Sequence, residues 1–225
     1  MKALKFSGIV VVLAAAWALA LPAPLSAQGY PNKSVRVVVP FAPGGATDIQ
    51  ARVISKELGE QFGQSFVVDN RAGASGMIGA EAVVSSPADG YTILFTTAAL
   101  AINATLSKST LKFDPVKDLA PVIWTSSTPL VLIVHPGVAA KSAEELIELA
   151  RKNPTRLNVA LTVSGSTSHM AAEMFRQLAG ISFTNVPYKG GAPAMLAMVS
   201  GEDDFLFAEA LLAMPQIKAG KVRAL

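Results

Sequence analysis

Short runs of β-branched residues alternate along this chain with longer stretches whose apolar positions recur every three to four residues. Val35 to Val39 (VRVVV) is too apolar for a strand with one wet face, so it predicts a strand buried on both sides in a mostly parallel sheet. From about Thr47 the period changes. Ala51, Ile54, Leu58 and Phe62 make the stripe of a helix packed on that sheet, and Thr47 with Gln50 has the spacing of a capping box. Phe66 to Val68 predicts a second strand, Asn70 to Gly79 a glycine-rich loop, Glu81 to Ser85 a short helix, and Tyr91 to Thr96 a third strand.

The middle of the chain changes register. Val122 to Trp124 and Leu130 to Val134 are apolar runs separated by Thr125 to Pro129, which predicts a crossover between two domains. Ser142 and Glu145 form a second capping box, and the helix they open should stop before Pro154. Leu157 to Val163 predicts a strand, Ser164 to Ser168 a small-residue loop, and the following helix ends at a Gly180 cap. Pro193 suits the first turn of a further helix that Gly201 ends, and Phe205 to Phe207 predicts one more strand. Strands and helices alternating in this way imply an α/β fold, whose ligands sit at the carboxyl ends of strands. Three loops have that character: Phe41 to Thr47, Arg71 to Gly79, and Ser164 to His169.

The chain has 225 residues, enough for one large or two small domains. Its first 27 residues read as a signal peptide rather than as part of the fold. Lys2 and Lys5 precede an apolar run from Ile9 to Leu21, and Leu25-Ser26-Ala27 offers a cleavage site, as Ala20 also does. That run is short for a membrane span of about 20 residues. Export to a periplasm is the expectation, and the absence of cysteine agrees with it while removing disulfides and thiol nucleophiles. A net charge of +3 with no long basic run gives nucleic-acid binding little support.

In the first loop, Pro43, Gly44 and Gly45 let a ligand approach the main chain closely. The helix beyond leaves its first N–H groups unpaired, and its dipole favours an anion there. The loop has neither Walker A nor GxGxxG spacing. Gly165-Ser166-Thr167-Ser168-His169 repeats the logic, with hydroxyls and amides at a second helix start. An enzyme reading would make Ser166 or Ser168 a nucleophile with His169 as its base, but no GxSxG elbow is present. With two histidines, no cysteine and no clustered carboxylates, no metal site is expected, and no cofactor is implied. Asp48 can cap the first helix or meet a ligand's amine, and Asn70-Arg71 can bring a cation to the cleft or stay on the surface.

Eight motifs then occur in order: YPNKSVRVVVPFAPGGATDIQAR, VVDNRAGASGMIGAEAV, ADGYTILFTT, LAIN, FDPVKDLAPV, SGSTSHMAAEMF, VPYKGGAPAM and IKAGKVRAL. Together, from about Tyr30 to Leu225, they resemble the solute-binding receptors of tripartite tricarboxylate transporters, the Bug family. The resemblance implies a periplasmic binding-protein fold, with two α/β domains facing each other across a cleft that closes by hinge motion. Placed on this chain, residues 28–125 would form domain 1 and residues 126–225 domain 2, ending at the hinge strand. It also implies a small carboxylate ligand, delivery to one large and one small membrane subunit, and no catalytic step. The family's carboxylate-gripping loops fall on Phe41, Pro43, Gly44, Gly45, Ala46 and Asp48, and on Gly165, Ser166, Thr167 and His169. Gly76, Thr96, Thr97 and Lys189 are implied as further cleft-lining residues.

Departures from the family pattern fall at defined places. Leu161-Thr162-Val163-Ser164 is bulkier than the usual small run and is expected to reshape the pocket floor. Ala208-Glu209-Ala210-Leu211 replaces a small polar run, removes ligand contacts, and adds a carboxylate that would repel an anion. Asp203 stands where an apolar strand residue is usual. Family chains also continue past the segment matching Gly220 to Leu225, so domain 1 is expected to lack its C-terminal part, exposing apolar surface and strand edges. The alternative to a working receptor is therefore a truncated remnant that binds no ligand.

Overall fold

The computed structural model describes residues 29–154 and 156–225. The leader expected over residues 1–27 lies outside the described residues. Lys33–Leu225 forms one compact unit, and every strand and helix among the described residues belongs to it. Its strands make two separate sheets.

The first sheet comprises β1 (Val35–Val39), β2 (Phe66–Asn70) and β3 (Thr92–Leu94), all parallel, with β1 in the centre. That position explains the composition of β1: Val35, Val37, Val38 and Val39 are all buried. β2 runs two residues beyond expectation because Asp69 and Asn70 still pair with Val38 and Val39. β3 is shorter than expected, although Tyr91 O and Phe95 N extend its bonding to Arg36 and Val38.

Three helices accompany this sheet: α1 (Ala46–Phe62), α2 (Met77–Val84) and α3 (Ala99–Leu106). The capping box expected from Thr47 and Gln50 does not form. Gly45 is the N-cap, and Gln50 bonds instead to Ser126 and Thr128. The carboxylate of Asp48 instead reaches back past the N-cap and accepts from Gly44 N–H at 2.9 Å. Ala51 is buried, but Phe62 is 47% exposed, its ring leaning on Phe66. α2 starts four residues before the expected helix, so Gly79 lies inside it rather than in a loop. A Cβ on Gly79 would stand 2.7 Å from Pro40 Cβ, so this glycine serves helix packing.

The second sheet is mixed. It comprises β4 (Leu130–Val134), β5 (Asn158–Leu161), β6 (Thr184–Pro187), β7 (Phe205–Glu209) and β8 (Arg223–Ala224), in the order β6-β5-β7-β4-β8. β5 is parallel to β6 and β7, whereas β4 is antiparallel to β7 and β8. Alternation along the strands feeds two cores. Val134 and Phe205 pack in one with Leu146, Val159 and Phe183; their neighbours Ile133 and Leu206 pack in the other with Met195 and Met198. Helices α4 (Ala143–Lys152), α5 (Thr167–Ala179), α6 (Gly191–Ser200) and α7 (Ala210–Lys218) supply the covering side chains. Half of the second capping box forms: Ser142 accepts from Glu145 N, but the Glu145 carboxylate bonds to Lys141 N instead of Ser142 N.

Two segments stand out. Of the apolar runs flanking the expected crossover, Leu130–Val134 is β4, whereas Val122, Ile123 and Trp124 form no strand and are 85%, 77% and 83% exposed. Apolar, β-branched character does not make a strand where no neighbour supplies a hydrogen-bonding ladder. Asp203 is in a turn before β7 rather than in a strand. It is 3% exposed and accepts a 2.7 Å bond from the Tyr188 hydroxyl.

Candidate functional site

Where β1 ends, Pro40 and Phe41 are buried and the chain turns through Gly44 (φ +78°) into Gly45, the extended N-cap of α1. The turn is fixed from below by Asp48, itself 3% exposed. Its carboxylate accepts from Gly44 N, Arg52 Nε and Asn70 Nδ2, each at 2.9 Å. Asn70 Nδ2 also donates to Phe41 O, and Arg52 Nη2 to Asn70 Oδ1. Burial works against the Asp48 charge, but the bonds from Arg52, Gly44 and Asn70, with the Arg52 charge, outweigh it and lower the pKa. Arg71 stays at the surface, paired with Asp69 at 2.9 Å.

A second turn follows β5. Gly165 (φ +68°) precedes Ser166, the N-cap of α5, whose hydroxyl donates to Val163 O at 2.8 Å and accepts from His169 N. The imidazole Nδ1 of His169 accepts from Gly165 N at 3.0 Å, and Nε2 faces Glu173 Oε1 at 3.5 Å. Ser166 and His169 thus form a cap and a loop brace. The hydroxyl proton goes to a carbonyl, and the ring serves the main chain, so the geometry is not that of a nucleophile and its base.

A third helix start closes the group. α6 begins after Gly190 (φ +150°), and no side chain caps it. This loop meets the first directly: Ala42 N donates to Lys189 O at 3.0 Å, and a Cβ on Gly45 would lie 3.5 Å from Gly191 N. From α3, the buried Asn103 donates through Nδ2 to Ala99 O, Ser164 O and Gly165 O.

Between these turns lies a cleft with about 360 Å³ of unfilled space, part of it open to solvent. Phe41, Gly45, Ala46, Thr47 and Thr97 line it from the elements around the first sheet. Thr162, Val163, Ser166, Thr167, Gly190, Gly191 and Glu209 line it from those around the second. Of the residues singled out in the sequence, Phe41, Gly45, Ala46, Thr97, Ser166 and Thr167 therefore come together at the cleft. Pro43, Gly44, Asp48, Gly76, Thr96, Gly165, His169 and Lys189 do not line it. Several of these brace what does: Asp48 and His169 hold the two turns, and Gly76 packs beneath the Phe41 ring. Lys189 contributes a carbonyl to the contact with Ala42, while its side chain is exposed.

Thr47, Gly190 and Gly191 were not singled out as contacts, whereas Thr162 and Val163 lie in the run expected to shape the pocket floor. The signal for the glycines was available, because KGGAP repeats the paired glycines of PGGAT. Chemically, three helices of 17, 13 and 10 residues point their N-termini at one space. Each leaves early N–H groups without an intrahelical partner and carries partial positive charge there. The arrangement suits a carboxylate or another small oxyanion. Among the described residues, no group of His, Asp and Glu could hold a metal ion. No helix of the described residues is long and apolar enough to cross a membrane.

Comparisons with known proteins agree with this geometry. The sequence model of the tripartite tricarboxylate transporter family receptor matches residues 50–225. Protein BugT of Bordetella pertussis is 37% identical over 207 residues, covering 91% of this chain and 63% of BugT. A Rhodopseudomonas palustris protein solved with adipate superposes with a TM-score of 0.84 at 38% identity, covering 87% of this chain and 66% of that one. The periplasmic binding protein BugD gives a TM-score of 0.80 at 31% identity, with 87% and 65% covered. The chain thus spans just under two thirds of the length of these relatives. On the strength of the family match and of likeness along most of its own length, the chain has the periplasmic binding-protein fold and belongs to the tripartite tricarboxylate transporter receptor family.

Proposed function

We propose that this chain is a periplasmic solute-binding receptor that captures a small organic carboxylate and hands it to the large and small membrane subunits of its transporter, with no catalytic step. The observation that carries the reading is the convergence of three helix N-termini on one cleft whose lining, among the described residues, includes no cationic side chain. Main-chain N–H groups then have to hold the anion. The adipate in the R. palustris neighbour supports a carboxylate as ligand class. Residues 28–125 and 126–225 would act as the two lobes, closing on the ligand and expelling water, and the leader at residues 1–27 would direct export.

Isothermal titration of the purified chain against a panel of small mono-, di- and tricarboxylates tests this. One binding site with the acid recovered unchanged is expected. Chemical conversion of a bound acid would overturn the reading. A second reading, a remnant that binds nothing, draws on the exposed apolar segment at Val122, Ile123 and Trp124. A flat titration across the whole panel decides for it.

A further inference from the structure

We infer that Glu209 is a specificity-determining residue that makes this cleft select carboxylic acids bearing a cationic nitrogen, the amino-acid-like zwitterions, over plain di- and tricarboxylates. The inference rests on the receptor reading above and concerns which carboxylates that site accepts.

Glu209 ends β7 opposite Leu130, and its carboxylate lies at the cleft. Among the described residues lining the cleft it is the one ionisable side chain. The start of α6 faces it with Gly190 and Gly191, and the loop after β5 faces the cleft with Thr162 and Val163, so neither brings a charge. Oε2 is closed off from solvent and has no hydrogen-bond partner among the described residues. A purely structural role is available in principle, as an anion capping α6, since Oε2 would lie 3.6 Å from a Cβ on Gly191. That bond is not made, because Oε2 has no hydrogen-bond partner among the described residues.

A buried carboxylate oxygen without a donor is costly to keep, so a group that supplies the donor is favoured. Burial already raises the Glu209 pKa, an effect only partly offset by its own main-chain N–H. A plain carboxylate gripped by the helix starts adds a like charge in the same cleft, which disfavours both ions. An ammonium group next to the ligand's carboxylate relieves both problems. It donates to the Glu209 carboxylate and separates the two negative charges. No protein cation among the lining residues can do this, so the cation has to arrive with the ligand.

The test is isothermal titration of the full chain at neutral pH with matched pairs: γ-aminobutyrate against butyrate, L-aspartate against succinate, L-glutamate against glutarate, and L-2-aminoadipate against adipate. In at least one pair the amino acid should bind about tenfold tighter or better, the range of a charge-assisted bond. Glu209→Gln should shrink that ratio to within about threefold, while the plain acid binds as well as before or better. The inference is overturned if the plain acid matches or exceeds its amino partner in every pair, or if Glu209→Gln leaves the ratio unchanged. It is also overturned if succinate binding tightens on mild acidification and Glu209→Gln abolishes that response, since protonated Glu209 would then be donating to a second carboxylate. The wild-type ratios decide the amino preference without any variant, and the variant decides whether Glu209 sets it. If plain acids bind and amino acids do not, this inference fails and the receptor reading stands; if neither kind binds, both fail.

Discussion

Replacing Asp48 with asparagine removes one charge from beneath the first loop and keeps the side chain's shape. The carboxylate is 3% exposed and accepts from Gly44 N and Asn70 Nδ2 at 2.9 Å each. Hydrogen bonds to an ionised acceptor contribute about 1.5–3 kcal/mol apiece. Asparagine can keep one as a neutral bond, but its amide nitrogen then faces the donors of Asn70 or Arg52. The ion pair to Arg52 adds about 0–1 kcal/mol, because the Arg52 side chain is 53% exposed. The net loss should be about 3 kcal/mol, a large share of an ordinary folding stability of about 5–15 kcal/mol. With a urea slope of about 2 kcal/mol per M, the unfolding midpoint should fall by about 1.5 M at neutral pH. The pH dependence supplies a second check. The folded-state pKa of Asp48 lies below its ordinary value of 3.8, so its contribution is fully present above that value and is lost as pH falls through the folded pKa. The gap between wild type and Asp48→Asn should therefore close in acid. A gap under about 1 kcal/mol at neutral pH, or one that persists undiminished in acid, would refute the keystone role given to Asp48.

Two further outcomes can be checked by the same unfolding assays. Gly165→Ala forces a side chain onto a φ of +68° and puts its Cβ 2.5 Å from the Asn103 amide, so it should cost about 2–4 kcal/mol and loosen carboxylate binding; a neutral result would mean that Asn103 is free to move away. Asp203 has its pKa raised by burial first, then by the charges of Asp204 and Glu202, against the lowering effect of the Tyr188 hydroxyl. The folded state then binds its proton more readily than the unfolded state, so this group should add stability as pH falls from neutral through its folded pKa, complete below 3.8. Asp203→Asn should flatten that limb of the thermal midpoint profile, leaving the slope due to Glu209, whose pKa is raised as well. An unaltered profile would show that Asp203 does not titrate in this window.

The elements with strong patterns were legible from sequence. VRVVV could only be a doubly buried strand, and Gly180 and Gly201 end α5 and α6 in the left-handed conformation expected of them. The failures have physical causes. Of the two apolar runs at the expected crossover, only Leu130 to Val134 becomes a strand; which of them finds a partner strand is something a local pattern cannot reveal. Gly79 looked like loop because glycine marks turns, yet here it clears space for Pro40 across a helix–strand contact. Thr47 and Gln50 had the right spacing for a cap, but the helix starts two residues earlier, with Gly45 as N-cap, and the Gln50 side chain bonds to Ser126 and Thr128. At the site, the turns singled out in the sequence supply Phe41, Gly45, Ala46, Ser166 and Thr167 to the cleft lining. The inward residues are the glycines and small side chains at the helix starts, whereas Asp48, His169 and Gly76 point back into the scaffold.

That contrast bears on how such a cleft can change its cargo. On the reading proposed above, main-chain N–H groups grip the anion; the bonds joining the two sides run from Ala42 N to Lys189 O and from Asn103 to Ser164 O and Gly165 O. Side-chain identity enters these contacts only through Asn103 and the bracing residues, so the anchor can stay constant while the ligand changes. On that reading discrimination falls to the side chains lining the cleft, among them Thr97, Thr162, Val163 and Glu209. Thr162 and Val163 belong to the run expected from sequence to be bulkier than the family pattern, so on this reading they restrict volume, and Glu209 is the one ionisable side chain among the described lining residues. Substitutions at Thr162 and Val163 should accordingly change which chain lengths are accepted without altering the amino preference, whereas Glu209→Gln should do the reverse. Titrating the matched pairs against both variants separates the two effects, and a shift in amino preference from a Thr162 or Val163 change alone would contradict this division of roles.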